Sequence, residues 1–402
     1  MKVLAIGCGG VGTAAALIAK RRTFFDSWVV ADFDASRAQG LRDRLADDRF
    51  VSAQIDASSA AEVAQLCREF GITHVLNLVD PRFVVSIFQG AYDGGAHYMD
   101  TAMSLSQPHP TRPHEIPGVM LGDDQFAMSD QWRERGLLAL CGMGVEPGLS
   151  DVFARYACDH LFDEVDRIGV RDGADLEVAG YSFAPTFSIW TMIEECLNPP
   201  VVWTKDRGWF TTEPFSGAED FVFPEGIGTL TCVNVEHEEV LLMPRWLRCN
   251  EVTFKYGLGQ EFIDVLTTLH DLGLDSTTPV SVKGAMVSPR DVVAAVLPDP
   301  LTLGDKMSGR TCAGTWVTGT KDGRYREIYL YHVTDNEWSM REYGAQAVVW
   351  QTAMNPVIAL ELLASNVWEG SGVLGPEAFD AVPYLDLLTG GYGQVFGCED
   401  RA

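Results

Sequence analysis

A glycine-rich turn near the N-terminus is the first feature of this chain that could do chemistry. Gly7-Cys8-Gly9-Gly10-Val11-Gly12 has the spacing G-x-G-x-x-G, follows an apolar run and opens an alanine-rich segment. In such a motif the first glycine permits a tight turn, the second lets a pyrophosphate approach the backbone, and the third allows close packing of helix on strand. Amide groups at the start of the helix then face the phosphates. The residues predicted to bind a dinucleotide here are Gly7, Gly9, Gly10, Val11 and Gly12.

An acidic residue after the second apolar run bears on the choice of dinucleotide. Asp32 stands twenty residues beyond Gly12, where a carboxylate binds the ribose hydroxyls. The same carboxylate would repel the extra phosphate of NADP, and Phe33 offers no cation, so the sequence favours NAD. Arg37 lies within reach of a 2'-phosphate on the following helix, which keeps NADP possible.

Two polar residues follow the third and fourth predicted strands, whose carboxyl ends should face the nucleotide. Asp56 is expected either near the adenine or as the N-cap of the next helix. Asn77 and the residues up to Pro81 are expected near the nicotinamide ribose.

Two carboxylates are candidates for contact with the substrate. Asp100 ends a predicted strand and could hold a substrate amine, or could instead fix the loop after Thr101. Glu146 stands in a bend between Gly144 and Gly148, where its carboxylate could reach a cationic amine or imine. The alternative for Glu146 is that only the bend matters, but burying such a charge without a purpose would be costly.

A histidine and a lysine are the candidates for moving the proton. His237 is flanked by Glu236, Glu238 and Glu239, and neighbouring carboxylates raise the pKa of a histidine toward the range of a general acid or base. Alternation predicts His237 and Glu239 on one face; an exposed acidic turn is the alternative. Lys255 follows a strand-like run and could bind an α-carboxylate or donate the proton, unless it is a surface cation.

The amino-acid composition excludes several classes of binding partner. The net charge of -26 would repel a phosphate backbone, so no nucleic acid is expected; an acidic surface either attracts a cationic amine or serves solubility. No apolar run approaches the roughly 20 residues of a membrane span, and no signal sequence is recognisable, so a cytoplasmic protein is expected. Nine cysteines without a C-x-x-C pair indicate free thiols, and no metal site is predicted.

The periodicity of the chain predicts an α/β fold. Short β-branched runs alternate with helical segments up to residue 148, which indicates an N-terminal Rossmann domain with a doubly wound parallel sheet over residues 1–148. Its predicted strands are Val3–Ile6, Trp28–Ala31, Val51–Ile55, His74–Leu78, His97–Asp100 and Leu137–Cys141. C-terminal helices within residues 340–402 are expected to complete this domain.

Residues 149–339 have a different pattern and predict an α+β substrate-binding domain. Its expected helices and strands are Ser150–Cys158, Val165–Arg171, Ser188–Cys196, Gly228–Val235, Asn250–Tyr256 and Gln260–Leu272. Loops are predicted at Gln107–Asp124 and Val202–Phe223, and either could help to cover an active site. A long helix is predicted over Arg341–Trp368, with an interruption at Asn355-Pro356 because proline lacks the amide donor.

Further motifs together resemble one family. They are His97-Tyr98-Met99-Asp100-Thr101, Gly142-Met143-Gly144-Val145-Glu146-Pro147-Gly148, Leu297-Pro298-Asp299-Pro300 and Gly319-Thr320-Lys321-Asp322-Gly323. With the glycine fingerprint they resemble the saccharopine dehydrogenase family over essentially the whole chain. This resemblance implies NAD(P)-dependent hydride transfer at a carbon–nitrogen bond of a small amino-acid or amine substrate, and a homodimer formed through the second domain.

Within that family, the stretch Val292–Asp335 is most similar to the dehydrogenases of carboxynorspermidine and carboxyspermidine. That similarity implies reduction of an imine formed from an amine and an amino-acid semialdehyde. The chain departs from those enzymes at Asp32-Phe33, where they favour a polar and a basic residue suited to NADP. Two alternatives stay open: lysine 6-dehydrogenase, an NAD-linked relative, and a nucleotide sensor without turnover.

Overall fold

The N-terminal part of the chain alternates strands and helices. The computed structural model describes residues 1–181 and 183–402. Its first six strands are β1 (Lys2–Ile6), β2 (Ser27–Asp32), β3 (Phe50–Gln54), β4 (His74–Asn77), β5 (His97–Asp100) and β6 (Leu138–Leu140). The helices between them are α1 (Gly10–Lys20), α2 (Ala35–Leu45), α3 (Ala60–Phe70), α4 (Val84–Gly94), α5 (Asp123–Phe126) and α6 (Ser129–Glu134).

These strands form a parallel sheet in the order β3-β2-β1-β4-β5-β6. The strand order reverses between β1 and β4, and ligands of such sheets bind in the crevice outside the carboxyl ends at this point. The predicted Rossmann fold is confirmed, and the bounds of all six predicted strands differ by at most one residue from those observed. Apolar runs in β1, β2 and β6, typical of strands buried on both faces, and the regular alternation of strands with helices made this sheet recognisable.

A second set of elements follows. Its strands are β7 (Glu164–Ala174), β8 (Glu177–Val178), β9 (Val201–Thr204), β10 (Gly208–Thr211), β11 (Glu219–Phe223), β12 (Gly228–Asn234), β13 (Glu251–Gly257), β14 (Val280–Val282), β15 (Ala285–Val287), β16 (Met307–Ser308), β17 (Arg310–Lys321) and β18 (Arg324–Asp335). Its helices are α7 (Leu149–Tyr156), α8 (Ile189–Leu197), α9 (Glu239–Trp246), α10 (Gln260–Asp271) and α11 (Pro289–Val296). The C-terminal elements are α12 (Asn336–Tyr343), α13 (Ala347–Ala364), β19 (Gly372–Leu374), α14 (Ala381–Asp386) and β20 (Gly397–Asp400).

The second sheet is mixed, as the predicted α+β pattern implies. Its strands follow the order β10-β9-β13-β7-β17-β18-β20, and the β11–β12 hairpin joins it at β13. Strands β13 and β7 pair in parallel, whereas the other neighbours are antiparallel. The C-terminal segment contributes to both sheets, because β19 extends the first sheet beside β6 and β20 pairs with β18.

The structure corrects two predictions about local structure. Val202–Phe223 is not a loop, since most of it belongs to β9, β10 and β11; its tryptophan and phenylalanine residues favour strands more than its glycines oppose them. The predicted long helix breaks at Gly344, which ends α12 in the left-handed conformation, and runs uninterrupted through Pro356. Helix α13 is buried along most of its length, and this packing outweighs the one backbone hydrogen bond that proline removes.

Helix α13 is long and apolar enough by composition to cross a membrane. In this fold, however, 72 % of that stretch is buried inside the protein, and the helix packs against α1. We therefore assign α13 as a core helix that joins the C-terminal segment to the N-terminal sheet.

Gly90 and Gly40 show how closely the helices beside the first sheet pack against their neighbours. At Gly90 in α4 an added Cβ would lie 2.5 Å from the Cβ of Val63 in α3, whereas at Gly40 in α2 it would meet nothing within 4 Å. We expect Gly90→Ala to lower the free energy of unfolding by about 1–3 kcal/mol through overpacking. Gly40→Ala is the matched control and should be neutral or stabilising by up to about 1 kcal/mol. Chemical denaturation of both variants measures the difference, and equal stabilities would contradict the close packing.

Candidate functional site

The glycine-rich turn has the geometry of a pyrophosphate site. Gly7 has a φ of +106°, and a Cβ at Gly12 would lie 1.8 Å from the carbonyl oxygen of Gly7, so neither position accepts a side chain. A Cβ at Gly9 would meet nothing within 4 Å, which leaves the backbone open to a ligand. Helix α1 begins at Gly10 without a side-chain cap. Its first amide groups, Val11 included, are therefore available to phosphate oxygens, and the turn fits a dinucleotide.

Asp32 lies beside this turn, in a cavity of about 410 Å³ that Phe33, Arg37 and Asp56 also line. One carboxylate oxygen of Asp32 accepts a hydrogen bond from the amide of Cys8 (2.8 Å), and the other accepts one from the amide of Asp34 (2.9 Å). Arg37 approaches to 3.9 Å. The carboxylate thus holds the glycine turn in place and also faces the cavity.

The structure separates the roles of Asp56 and Asn77. Asp56 accepts hydrogen bonds from the amide and hydroxyl of Ser58, while Ser59 is the N-cap of α3; the N-cap alternative for Asp56 is therefore wrong. Asn77 is buried and donates to the hydroxyl of Tyr98 (3.0 Å). It also accepts from the amide of Val79 (3.2 Å), so it shapes the turn that follows β4.

A larger cleft of about 460 Å³ lies between the two sheets. Its floor is formed by the turn after β4, the residues after β5 and the start of α1; its far wall is formed by β7, β13, β17, α8 and α13. Val79 lines both this cleft and the cavity beside Asp32. A ligand that binds along the carboxyl ends of the first sheet can therefore reach from one cavity into the other.

The lining of the cleft is strongly acidic. Its charged groups are Asp80, Glu146, Asp172, Glu195 and His237. No lysine or arginine lines it within residues 1–181 and 183–402. A cationic ligand would therefore find carboxylates on several sides.

Glu146 and Asp172 meet within this cleft. Their carboxyl groups share a hydrogen bond, and Asp172 is also bonded to the hydroxyl of Tyr256. Burial and the charge of Asp172 raise the pKa of Glu146 well above its usual range. Burial also raises the pKa of Asp172, to about 6. One proton shared by the pair satisfies both groups, because two carboxylates in contact cannot both ionise at neutral pH.

Glu195 comes from the inner face of α8. Its pKa is raised to about 8, first by burial and then by the charges of Glu236, Glu238 and Glu239, against the opposing effect of His237. A cation bound nearby would favour the ionised form. Glu195 is thus a carboxyl group that gains its charge when a cationic ligand enters.

His237 is the one cationic group on this wall. Its ring stacks on Phe254 with centroids 3.8 Å apart and planes 7° from parallel. Its Nδ1 lies 2.5 Å from Oε2 of Glu239, which leaves Nε2 for the cleft. Burial by itself lowers the pKa of His237, but Glu239 and Glu238 raise it to about 10. The ring is therefore a protonated imidazolium at neutral pH.

The sequence predicts His237 among carboxylates, with Glu239 on the same face, but it predicts no metal-ligand cluster there. Ligand atoms of His237, Glu238 and Glu239 lie within 4.8 Å of one another, although no such cluster was predicted. The distance of 2.5 Å between His237 and Glu239 is that of a charge-assisted hydrogen bond. In this structure His237 and Glu239 form a hydrogen-bonded ion pair.

The two remaining predicted residues lie elsewhere. Asp100 is buried, accepts hydrogen bonds from the amide of Gly142 (2.7 Å) and from Gln125 (2.8 Å), and has a pKa raised to about 7 by burial; these contacts match the alternative in which it fixes a loop. Lys255 projects from the face of β13 opposite Phe254 and Tyr256. Its Nζ lies 2.5 Å from Glu219, and the structure does not bring it to the cleft.

Sequence reasoning missed Asp172, Glu195 and Tyr256. Asp172 stands near the C-terminal end of β7, a strand with neighbours on both sides. Glu195 follows Glu194 on a helix whose other inward residues are apolar. A carboxylate inside a central strand, or on the apolar face of a helix, was the available signal.

A dinucleotide turn at the switch point of a parallel sheet, beside a cleft that holds a buried acid–base pair, defines an NAD(P)-dependent oxidoreductase. Two family models match this chain: "Saccharopine dehydrogenase NADP binding domain" over residues 3–140 and "Saccharopine dehydrogenase C-terminal domain" over residues 144–393. The chain belongs to the saccharopine dehydrogenase family, and it is an oxidoreductase that acts on a carbon–nitrogen bond.

Similar proteins span the full length of the chain. Carboxynorspermidine synthase of Vibrio cholerae is 27 % identical over 96 % of this chain and 94 % of its own. Carboxyaminopropylagmatine dehydrogenase of Synechocystis sp. is 26 % identical over 96 % and 95 %. Apo saccharopine dehydrogenase (L-Glu forming) from Saccharomyces cerevisiae has the same fold, with a TM-score of 0.71, 14 % identity and full coverage of both chains.

The open space at Gly9 predicts a variant that separates nucleotide binding from folding. Gly9→Ala places a methyl group where nothing lies within 4 Å, so the thermal midpoint should be unchanged. The same methyl would block the approach of a pyrophosphate, and we expect NADH to bind at least about ten-fold more weakly. Titration by nicotinamide fluorescence measures this, and normal NADH affinity would show that the phosphates lie elsewhere. Gly12→Ala should instead destabilise the turn, since its Cβ would collide with Gly7.

Proposed function

We propose that this enzyme reduces the imine formed between an amino-acid semialdehyde and a diamine, to give a carboxylated polyamine such as carboxynorspermidine or carboxyspermidine. The observation that carries the proposal is the charge of the cleft: carboxyl groups of Asp80, Glu146, Asp172 and Glu195 line it, and no lysine or arginine does within the described residues. A polyamine arm with one or more ammonium groups complements such a lining. The names of the two similar enzymes fit the same substrate class.

The residues of the chain divide the work between binding and proton transfer. The glycine turn and Asp32 would hold the nucleotide, which when bound supplies hydride to the imine carbon. Glu195 and the Glu146–Asp172 pair would hold the distal ammonium group. His237, with Nδ1 fixed by Glu239, would present Nε2 to the reacting nitrogen and donate the proton that converts the reduced nitrogen into an ammonium.

The alternative of lysine oxidation fits this cleft less well. Lysine has one ammonium group besides the reacting nitrogen, whereas the imine of an amino-acid semialdehyde and a diamine has two, which suits a cleft lined by several carboxyl groups better. Both substrates carry one α-carboxylate, and Arg245, which stacks on Phe126 at 3.9 Å, does not line the cleft. Hydroxyl groups of Thr186, Ser188 and Thr191 line the cleft at the start of α8 and would serve the single carboxylate of the semialdehyde.

The assignment of domains and assembly follows from this proposal. Residues 1–148, with the C-terminal segment 340–402, would form the nucleotide-binding domain, and residues 149–339 the substrate-binding domain. A homodimer through the second sheet and a cytoplasmic location would complete the enzyme.

A spectrophotometric assay with a carboxyl-to-amide variant tests the substrate class. Oxidation of NAD(P)H is expected only when aspartate semialdehyde is present together with a diamine such as 1,3-diaminopropane or putrescine. Because Glu195 ionises with a pKa of about 8, kcat/KM for the diamine should rise with pH up to about 8. Glu195→Gln should raise KM for the diamine by about ten-fold and remove this rise.

Glu194→Gln is the matched control, because Glu194 lies on the same helix but pairs with Arg290. It should leave KM for the diamine and the pH profile unchanged. Reduction of NAD by lysine alone, without turnover of semialdehyde and diamine, would replace the proposal by the lysine alternative.

We also propose that NAD is preferred over NADP, because Asp32 faces the cavity where a 2'-phosphate would lie and Phe33 beside it is uncharged. Asp32→Ser should shift the ratio of the NADPH and NADH dissociation constants toward NADPH by about ten-fold or more, through loss of one charged hydrogen bond and one repulsion. We use the ratio of the two dissociation constants because loss of the hydrogen bonds from Cys8 and Asp34 should weaken the binding of both nucleotides to the same extent. An unchanged ratio would remove Asp32 from cofactor selection.

A further inference from the structure

Two arginines from separate parts of the chain lie over the ring of Trp190. Arg82 belongs to the turn that follows β4, and its guanidinium carbon lies 4.4 Å from the centre of the indole ring. Arg290 belongs to α11, and its guanidinium carbon lies 4.6 Å from the same centre. A guanidinium group over the face of an indole is held there by cation–π attraction. Trp190, on α8, therefore joins the turn after β4 to α11.

The ring of Trp190 is held by these contacts and by packing. The residue is 8 % exposed, and its Nε1 has no hydrogen-bond partner within residues 1–181 and 183–402. A buried indole N–H usually finds an acceptor, so burial of this ring costs free energy that the attraction to the two cations offsets. The position of the indole thus depends on the two arginines.

The two arginines differ in how they are held. Arg290 is buried, pairs with Glu194 of α8 and donates from Nε to the carbonyl oxygen of Asp275 (2.6 Å). Since α11 also packs on α8, Arg290 fixes the indole within the far wall of the cleft. The side chain of Arg82 is 44 % exposed. It can therefore be replaced without creating a buried gap.

The turn that carries Arg82 is rigid. Asp80 accepts hydrogen bonds from the amide (3.0 Å) and Nε (2.8 Å) of Arg82 through Oδ1, and from Nη2 (3.2 Å) through Oδ2. Two such bonds to one carboxylate fix the plane of a guanidinium group. Pro81 between the two residues has a restricted φ angle. The guanidinium group of Arg82 therefore moves together with the backbone of the turn.

Residues on both sides of Arg82 line ligand cavities. Pro81 lines the cleft, whereas Phe83 lines the nucleotide cavity of about 410 Å³. On α8, Thr191 follows Trp190 directly and lines the cleft. The contact between Arg82 and Trp190 therefore connects the floor of the cleft, next to the nucleotide cavity, to its far wall.

We propose that Arg82 and Trp190 are positioning residues, which together set the distance between the bound nucleotide and the substrate. Neither side chain lines the cleft, so they act through the turn after β4 and through α8. A displacement of about 1 Å can slow a reaction by about 100-fold. The proposal rests on hydride transfer to or from a nicotinamide nucleotide, and it holds for an imine and for lysine alike.

Replacement of the exposed arginine tests the proposal. Arg82→Gln keeps a polar side chain and removes the cation, so the thermal midpoint should be nearly unchanged while kcat falls about ten-fold. The assays are aspartate semialdehyde with a diamine and NAD(P)H, and lysine with NAD. With deuterium at the transferred position of NAD(P)H, or on the carbon of lysine that bears the side-chain nitrogen, the isotope effect on kcat should increase. A loss of folded enzyme would lower kcat and leave this isotope effect unchanged.

Variants of the ring test whether the two residues act through one contact. Trp190→Phe keeps an aromatic face and should retain kcat within about three-fold, whereas Trp190→Leu should lower kcat as much as Arg82→Gln does. In the Trp190→Leu background, Arg82→Gln should cause no further loss of kcat. Fully additive losses would overturn the proposed coupling between Arg82 and Trp190.

Arg135→Gln is the matched control. The guanidinium carbon of Arg135 lies 4.4 Å from the ring centre of Tyr92, the same distance as in the contact between Arg82 and Trp190. Arg135 follows α6 and Tyr92 lies on α4, and neither residue lines the cleft. Its replacement should leave kcat and the isotope effect unchanged.

Hydrogen–deuterium exchange tests the contact without turnover. Peptides from α8 and from the turn after β4 should exchange faster in Arg82→Gln than in the wild-type protein, and at the wild-type rate in Arg135→Gln. Unchanged exchange in Arg82→Gln would overturn the proposal whatever the activity, and so would faster exchange with unchanged kcat and isotope effect. An enzyme that oxidises lysine and shows both effects would replace the proposed imine substrate and leave the positioning role supported.

Discussion

The placement of many carboxyl groups around one buried imidazolium is the constraint on which the active region depends. Moving an ionised carboxylate out of water costs several kcal/mol, unless a proton, a donor or a cation compensates it. Glu239 has His237 as its partner at 2.5 Å, whereas Glu146 with Asp172 and Asp151 with Glu377 pair acid with acid. The region therefore holds protons in shared positions, and it has an unmet affinity for cations where it opens to the cleft.

The fold brings these groups together from distant parts of the chain. Glu146 follows the first sheet, Asp172 lies on β7, Glu195 on α8, and His237 directly precedes α9. Strand β13 pairs in parallel with β7, which sets Phe254 under the ring of His237 and Tyr256 beside Asp172. The acid–base groups thus come mainly from the elements that follow the first sheet, whereas the nucleotide turn follows β1 of the first sheet. The cleft between the sheets is where hydride and proton can meet.

Features that depend on residues close together in the sequence could be predicted, whereas features that depend on contacts between distant parts of the chain could not. The glycine turn and Asp32 are local features, since the spacing of Gly7, Gly9 and Gly12 itself dictates the backbone. Strands β1, β2 and β6 are apolar runs that can likewise be recognised locally. His237 was predicted from its acidic neighbours, but its pairing with Glu239 depends on the start of α9. Asp172 and Glu195 reach the cleft only when separate elements pack, and no residue spacing in the sequence indicates those contacts. The helix through Pro356 shows the same effect, because burial of α13 overrides a local rule.

The acidity of the cleft acts on binding and on proton transfer more than on the hydride step itself. A protonated imine carries its positive charge at the reacting nitrogen, and that charge disappears as the carbon accepts hydride. Carboxylates close to that nitrogen would therefore stabilise the starting imine more than the transition state, which slows the reaction. In the proposed reaction a proton delivered by His237 would restore the positive charge, and the same carboxylates would then favour the ammonium product. In this arrangement, the field of Glu195 and its neighbours is useful only if it is coupled to a proton donor held within hydrogen-bonding distance. In the proposed mechanism the pair formed by His237 and Glu239 would meet that requirement.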